Sequence, residues 1–268
     1  MKLSGARVLI TGAAGGLGLA LARELARSGA RLCLTDRDES LLGSVRGEFP
    51  DAVVLPLDVS DESSAAACAA EVARSWAGLD VLVNNAGTVS GGDLVSVSPA
   101  RHRATVEANL LGPILVTRAF LPLLEKSPGF RVAFVASASG YLPLPMAASY
   151  AATKWGVRGF AVSLEEEFRI RGFGGRRVLV VCPSYISTGL FAGASAPFLT
   201  PILEVGSVAR GIARALRHDA RVLDMPWSVH LLKFLARVLP DSWYRAFLRV
   251  AGVATSMARW TGRGGTRA

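Results

Sequence analysis

Tyr150 and Lys154 stand four residues apart in a stretch patterned as a helix, Tyr150–Arg171. On a helix that spacing sets both side chains on one face, about one turn apart. A free phenol has a pKa of about 10 and is a poor base at neutral pH, whereas a neighbouring ammonium stabilises the phenolate. Such a pair can take a proton from an alcohol or return it to a ketone oxygen. Ser137, 13 residues upstream at the end of an apolar run, adds a hydroxyl that can orient that oxygen and offset charge building on it. Each residue alone also reads as structure: a core tyrosine, a solvated lysine, a helix-capping serine. Their joint occurrence is what points to chemistry.

A second cluster suits an anion. Thr11-Gly12-Ala13-Ala14-Gly15-Gly16-Leu17-Gly18 ends one apolar run and opens a helical pattern, with spacing T-G-x-x-x-G-x-G. Glycines there let the backbone approach a dinucleotide pyrophosphate, and the N–H groups of the helix start point at it. The next apolar run ends at Thr35-Asp36-Arg37, where a carboxylate would accept hydrogen bonds from an adenosine ribose. Asp36 would repel a 2′-phosphate and so favours NAD over NADP. Arg37 could pair with that phosphate and keeps NADP open. Asp36 also reads as a cap for a helix beginning near Ser40.

These residues need elements to position them. Val8–Thr11, Arg31–Thr35, Ala52–Leu55, Leu79–Val83, Val132–Ala136 and Val178–Val181 read as buried strands. Between them Leu17–Ser28, Ser63–Trp76, Ala100–Leu124 and Tyr150–Arg171 are patterned as helices. Alternation of this kind predicts an α/β fold, a doubly wound parallel sheet of Rossmann type with helices on both faces. Residues 1–220 are read as one dinucleotide-binding catalytic domain with its substrate loop. Residues 221–268 are read as a basic, amphipathic, helical extension.

Four further segments complete a pattern: Asn84-Asn85-Ala86-Gly87, Asn109 in the following helix, Ser137-Ala138-Ser139-Gly140, and Tyr150-Ala151-Ala152-Thr153-Lys154. With the glycine turn, they resemble the classical short-chain dehydrogenase/reductase family over roughly residues 1–190. The resemblance implies that Tyr150 is the acid/base, that Ser137 holds the substrate oxygen and that Lys154 binds the nicotinamide ribose. It makes Asn109 a fourth member, positioning a water that links Lys154 to solvent. Lys154 and an oxidised nicotinamide would together lower the Tyr150 pKa. Asp58, beside Val59, would touch the adenine amino group. Ala86 and Gly87 would line the adenosine ribose, and Asn85 would brace the central strands. Gly12, Gly16, Leu17 and Gly18 would hold the pyrophosphate, with Asp36 and Arg37 at the ribose. Pro183, Ile186 and Thr188 belong to a segment resembling P-G-x-x-x-T, in which Ile186 and Thr188 would meet the carboxamide. Ser184 departs from the glycine usual after that proline and would narrow the pocket or lend it a hydroxyl. The implied cofactor is NAD, with NADP as the alternative, and the implied reaction is hydride transfer to or from a secondary alcohol or ketone. The family also implies a homodimer or homotetramer through Ala100–Leu124 and Tyr150–Arg171.

Two segments should border the substrate. Tyr141–Met146 follows Ser137, and Gly189-Leu190-Phe191 with Pro197-Phe198-Leu199 follows the cofactor segment. Both lack charge, so a hydrophobic substrate (steroid-, retinoid- or lipid-like) fits better than a sugar or an acid. The rival reading is a non-catalytic dinucleotide-binding sensor or scaffold recruited to membranes. The intact set Asn109, Ser137, Tyr150 and Lys154 weighs against it.

Of 268 residues 51% are hydrophobic, enough for a sizeable core, and 30 Lys and Arg outnumber 21 Asp and Glu. Most of that excess lies in the tail. Eight basic residues (Arg221, Lys233, Arg237, Arg245, Arg249, Arg259, Arg263, Arg267) and two acidic (Asp224, Asp241) fall there. Trp227, Leu231, Phe234, Leu235 and Val238 would share one helical stripe, with His230, Lys233 and Arg237 facing away. A second helix is read over Trp243–Ala251. An apolar face, basic residues and tryptophans suit contact of 227–251 with a membrane surface; packing over the substrate mouth or in a dimer suits them too. No nucleic-acid motif accompanies the charge. Thr261–Ala268 reads as a frayed end. His102, His218 and His230 have no partners at ligand spacing, so no metal is expected. Cys33, Cys68 and Cys182 are odd in number and far apart, which fits a reducing compartment. The start of the sequence shows no secretory leader, and no charge-free run of about 18 apolar residues occurs. The expected location is cytoplasmic, with the tail peripheral to a membrane as the variant reading.

Overall fold

A computed structural model describes residues 1–262 except Arg176 and Leu199. The basic residues Arg263 and Arg267, most of the tail end read as frayed, and Leu199 of the second substrate segment therefore lie outside the described residues. Seven strands form one parallel sheet: β1 Arg7–Thr11, β2 Arg31–Asp36, β3 Val53–Pro56, β4 Val81–Asn84, β5 Arg131–Val135, β6 Val178–Pro183 and β7 Val222–Met225. Their order is β3-β2-β1-β4-β5-β6-β7, so the winding reverses between β1 and β4. In doubly wound sheets that reversal opens a crevice at the carboxyl ends of the strands.

The register follows from side-chain alternation. Val8, Ile10, Val81, Val83, Leu179 and Val181 enter the core on one face. Leu9, Leu82, Val132, Phe134, Val178 and Val180 enter the core on the other. Strands buried on both faces read as continuous apolar runs, which is why they were legible. Helices α1 Gly16–Arg27, α2 Glu39–Glu48 and α3 Glu62–Ser75 alternate with β1 to β4. The long helix expected over 100–124 is α4 Pro99–Val106, a π-helical turn at Glu107–Leu111, and α5 Gly112–Leu124. That 26-residue run is long and apolar enough, by length and composition, to cross a membrane (mean hydropathy 1.2), although no charge-free window was found. Here Val116, Phe120, Leu123 and Leu124 of α5 are buried in the core shared with α3 and β4. The next elements are α6 Ala148–Ile170 and α7 Val205–Arg217, followed past β7 by α8 Ser228–Val238 and α9 Asp241–Val250.

Two elements, α7 and β7, escaped the sequence reading, and α2 was met there only as the helix beginning near Ser40. α2 is short and has only two buried residues, Leu42 and Val45. α7 carries Val208, Ile212 and Leu216 at helical spacing, a signal present in the sequence. β7 falls inside the segment read as a helical extension. It is only four residues long and is defined by pairing with β6. Asp38, not Asp36, caps α2, accepting from the Ser40 N–H at 3.1 Å.

The tail helices also sit differently from the expected stripe. Val229 and Leu232 of α8, with Tyr244 and Leu248 of α9, are buried against Ala138, Leu142 and Val253. Trp227, Phe234 and Val238 face outward, as do Trp243 and Val250. Lys233 does not face away, because its ammonium lies 2.7 Å from the fully buried carboxylate of Asp224, and His230 approaches the same oxygen at 3.3 Å. A buried carboxylate needs charged partners, and that need sets the rotation of α8.

Candidate active site

The cleft at the reversal encloses about 570 Å³, within the range of small-molecule sites. Its floor is the glycine turn. Gly12 has φ +65°, and a Cβ there would lie 2.8 Å from Ala86 Cα. A Cβ on Gly18 would meet the Gly12 carbonyl at 2.2 Å, and one on Gly16 would reach Thr188 at 3.0 Å. Helix α1 has Gly15 at its N-cap, so it lacks a side-chain cap, and its first turn holds no acidic residue. Carboxylates cap α2, α3 and α7 instead. The free N–H groups of α1 therefore face the cleft over a floor with no side chains to exclude a phosphate. The residues present fit a dinucleotide.

Around that floor the sequence-chosen residues converge. Leu17, Asp36, Arg37, Asp58, Val59, Ala86, Gly87, Pro183, Ile186 and Thr188 all line the cleft. Asp36 accepts from Ala14 N–H at 3.1 Å and from Asp38 N–H at 3.2 Å, which fixes its carboxylate at the end of β2. Asp58 is held by Ser60, through N–H at 2.9 Å and the hydroxyl at 2.6 Å. Asn85 also lines the cleft and donates to the Thr11 carbonyl at 2.8 Å and the Gly12 carbonyl at 3.1 Å, tying β4 to β1.

Ser137, Tyr150 and Lys154 line the inner end of the same cleft and are all buried. Ser137 follows β5, while Tyr150 and Lys154 share one face of α6. Burial pushes the Tyr150 phenol above its ordinary value, with the Ser137 hydroxyl opposing the rise. Lys154 is lowered to about 8 by burial. Its ammonium donates to the Val135 carbonyl at 2.8 Å and stands 5.5 Å from the Tyr150 ring centre. At the phenol, burial outweighs Lys154 acting alone. Desolvation dominates, and the ammonium is aimed at β5.

Asn109 is the one chosen residue that does not line the cleft. It sits in the π-helical turn, a feature that often re-aims a side chain at functional sites. Its Oδ1 accepts from Thr88 N–H at 2.8 Å, and its Nδ2 donates to the Thr88 carbonyl at 2.8 Å and to Thr153 Oγ1 at 3.3 Å. A Cβ on Gly87 would lie 3.0 Å from Asn109 Oδ1 and 3.8 Å from Lys154 Nζ. Asn109 thus clamps the loop after β4 to the helices behind Lys154. Ser184, the departure from the family pattern, spends its hydroxyl on the Pro201 carbonyl at 3.1 Å.

Beyond Ser137 lies a second chamber of about 40 Å³, lined by Leu142, Leu144, Tyr185, Phe191, Pro197 and Val253 among others. Ser137, Ser184 and Phe191 border both spaces. Ser139 also lines the chamber, and its buried hydroxyl has no partner among the described residues. Tyr141 and Phe198, expected beside the substrate, point elsewhere. Tyr141 is stacked between Arg158 and Lys233, and Phe198 is exposed. Missed entirely were Thr88, Val89, Arg101 and the tail residues Trp260, Thr261 and Gly262, which also line the cleft. Thr261 was read as part of a frayed end, yet its N–H donates to the Ala192 carbonyl at 2.9 Å. Trp260 was the one signal available, an aromatic among small polar residues.

The family model for short chain dehydrogenases matches residues 6–197. Estradiol 17-beta-dehydrogenase 11 of Macaca fascicularis is 30% identical over 244 residues, covering 90% of this chain and 81% of that one. Retinol dehydrogenase 10-A of Danio rerio is 31% identical, covering 89% and 80%. A short chain dehydrogenase/reductase from Burkholderia phymatum in complex with NAD superposes with TM-score 0.78 at 23% identity, covering 89% of this chain and 96% of that one. One from Burkholderia cenocepacia J2315 in complex with NADP gives 0.79 at 24% identity, covering 94% and 99%. The two structural likenesses bear on the fold, and the sequence matches bear on kinship. By them this chain belongs to the short chain dehydrogenase family and is an NAD(P)-dependent oxidoreductase acting on CH–OH groups.

Proposed function

We propose that the enzyme interconverts a hydrophobic secondary alcohol and its ketone, steroid-, retinoid- or lipid-like, with NAD(H) as the preferred cofactor. The observation that carries this reading is the meeting of Ser137, Tyr150 and Lys154, all buried, in the glycine-floored cleft, with Ser137 also bordering the apolar chamber. The relatives named for estradiol and retinol support the substrate class. Asp36 supports NAD, since its carboxylate is fixed at the end of β2 in the cleft, where its charge would repel a 2′-phosphate.

A bound nicotinamide would supply or accept the hydride. The Ser137 hydroxyl holds the substrate oxygen beside the Tyr150 phenol. Tyr150 delivers a proton at its Oη to the ketone, and burial keeps that proton in place until the oxygen gains charge. In the alcohol direction the same atom accepts the proton. Lys154, held by the Val135 carbonyl of β5, would bind the ribose and offset phenolate charge as it develops. Asn109 acts from behind, holding Thr88 and the cleft wall.

The experiment is turnover of lipophilic and polar alcohols and ketones with NAD(H) and NADP(H) in parallel. Tyr150→Phe should lower kcat by at least about 100-fold, the scale of lost general acid–base catalysis, with cofactor affinity kept. Equal turnover in the variant would sink the mechanism, and activity confined to polar compounds would sink the substrate class.

A second proposal concerns placement. The outward stripes of α8 and α9, Trp227, Phe234, Val238, Trp243 and Val250, alternate with exposed Arg237, Arg245 and Arg249. That surface supports docking of 227–251 on an anionic membrane. Exposed Val106, Leu111, Trp155 and Val162 support association of the chain with itself through the α4–α5 and α6 faces.

A further inference from the structure

The tail closes the cleft from a side that neither the glycine turn nor the family match reaches. Residues 251–262 run along the loop that follows β6 and are fastened to it at several points. Phe198 N–H donates to the Ala251 carbonyl at 2.9 Å, Ser195 N–H to the Ser256 carbonyl at 2.8 Å, and Thr261 N–H to the Ala192 carbonyl at 2.9 Å. The Tyr185 hydroxyl donates to Ser256 Oγ at 2.8 Å. Gly193, at φ +79°, passes so near the strap that a Cβ there would lie 2.1 Å from the Arg259 carbonyl.

Trp260 is the side chain this fastening presents to the cleft. Its indole N–H donates to the Leu190 carbonyl at 3.0 Å, on the wall after β6. Its other edge lies against Gly91 on the wall after β4, where a Cβ would come within 2.4 Å of Cε3. The ring therefore spans both walls. It packs with Val89, Tyr150, Phe191 and Met257 in one apolar cluster, at the Tyr150 end of the cleft and away from Asp36. Glycine at 91 has no positive φ, so its role here is room for the indole.

We propose that Trp260 is a specificity-determining residue, its indole closing the substrate end of the cleft and limiting the size of the apolar group on the reacting carbon. The inference rests on the oxidoreductase reading above. Trp260 touches no reacting atom and takes no part in proton transfer. Its hydrogen bond to Leu190 and its contact with Gly91 fix the plane of the ring. The ring in turn sets how far a substrate can extend past Tyr150.

The test is kcat/KM for oxidation of linear secondary alcohols, from 2-butanol to 2-dodecanol, by the wild type and by Trp260→Ala, Trp260→Leu and Trp260→Phe. Cofactor affinity and thermal midpoint are measured alongside. Opening a pocket by several carbons should raise the long-to-short ratio about tenfold or more in Trp260→Ala, less in Trp260→Leu, and under about twofold in Trp260→Phe. A ratio that is unchanged or lowered in Trp260→Ala and Trp260→Leu overturns the inference, even if all rates fall together, since that is the mark of a structural role. If Trp260→Ala does not fold, Trp260→Leu decides alone. No turnover of any alcohol or ketone by the wild type would overturn the functional reading and this inference with it.

Discussion

Lys154 shows how one residue can serve a site at the expense of the fold. Its ammonium is buried, and its pKa falls from 10.5 to about 8. Between those values the unfolded chain holds the proton more firmly than the folded one, so stability rises with pH across that window. At neutral pH the full penalty is present, on the order of 3 kcal/mol, partly offset by the bond to Val135. Lys154→Met should therefore be more stable at pH 7, by about 1 to 2 kcal/mol once the lost bond is counted, while turnover disappears. Its advantage should shrink as pH rises from 8 towards 10.5, as read by thermal melts across that range. A constant difference at all pH values would show that the ammonium is not the source. The chemistry of Lys154, Tyr150 and Ser137 was legible because type and spacing together are specific. The balance of forces on them was not, since desolvation depends on every element packed over the phenol.

Glycine positions separate the elements that need room from those that do not. In α1, Gly18→Ala would press a methyl to 2.2 Å from the Gly12 carbonyl. That overpacking should destabilise by about 1–3 kcal/mol and weaken cofactor binding at least tenfold. In α2, Gly43 is exposed with nothing within 4 Å of a Cβ, and Gly43→Ala should stabilise by roughly 0.5–1 kcal/mol. Opposite signs from one substitution in two helices would be read by denaturant melts and cofactor titration. Six of the seven strands were visible as apolar runs because both faces of this sheet are covered. β7 was not, since Val222–Met225 is short, half-exposed and defined by its neighbour. The rotation of α8 was misjudged for a related reason. Hydrophobic spacing placed Trp227, Leu231, Phe234, Leu235 and Val238 on one stripe with Lys233 facing away, whereas Asp224, far from apolar, holds Lys233 inward.

At the scale of the whole molecule, the cleft and the proposed docking surface meet through the tail. The inner faces of α8 and α9 rest on Leu142 and Val253, which also line the small chamber. A membrane beneath the outer faces would thus lie on the far side of the helical pair from the chamber. Trp227→Ser with Trp243→Ser should cut sedimentation with phosphatidylcholine vesicles containing phosphatidylserine about tenfold while leaving turnover in free solution unchanged. Equal sedimentation of the double variant would remove the membrane proposal. The interlock of residues 251–262 with the loop after β6 also imposes an order in time. Chains emerge from the ribosome beginning with their first residues, and domains form as their parts appear. The nucleotide floor can be laid once β4 pairs with β1, and Ser137, Tyr150 and Lys154 follow well before the last helix is made. The wall carrying Trp260 arrives after everything it leans on. A chain halted short of it would hold a cofactor before it could choose a substrate.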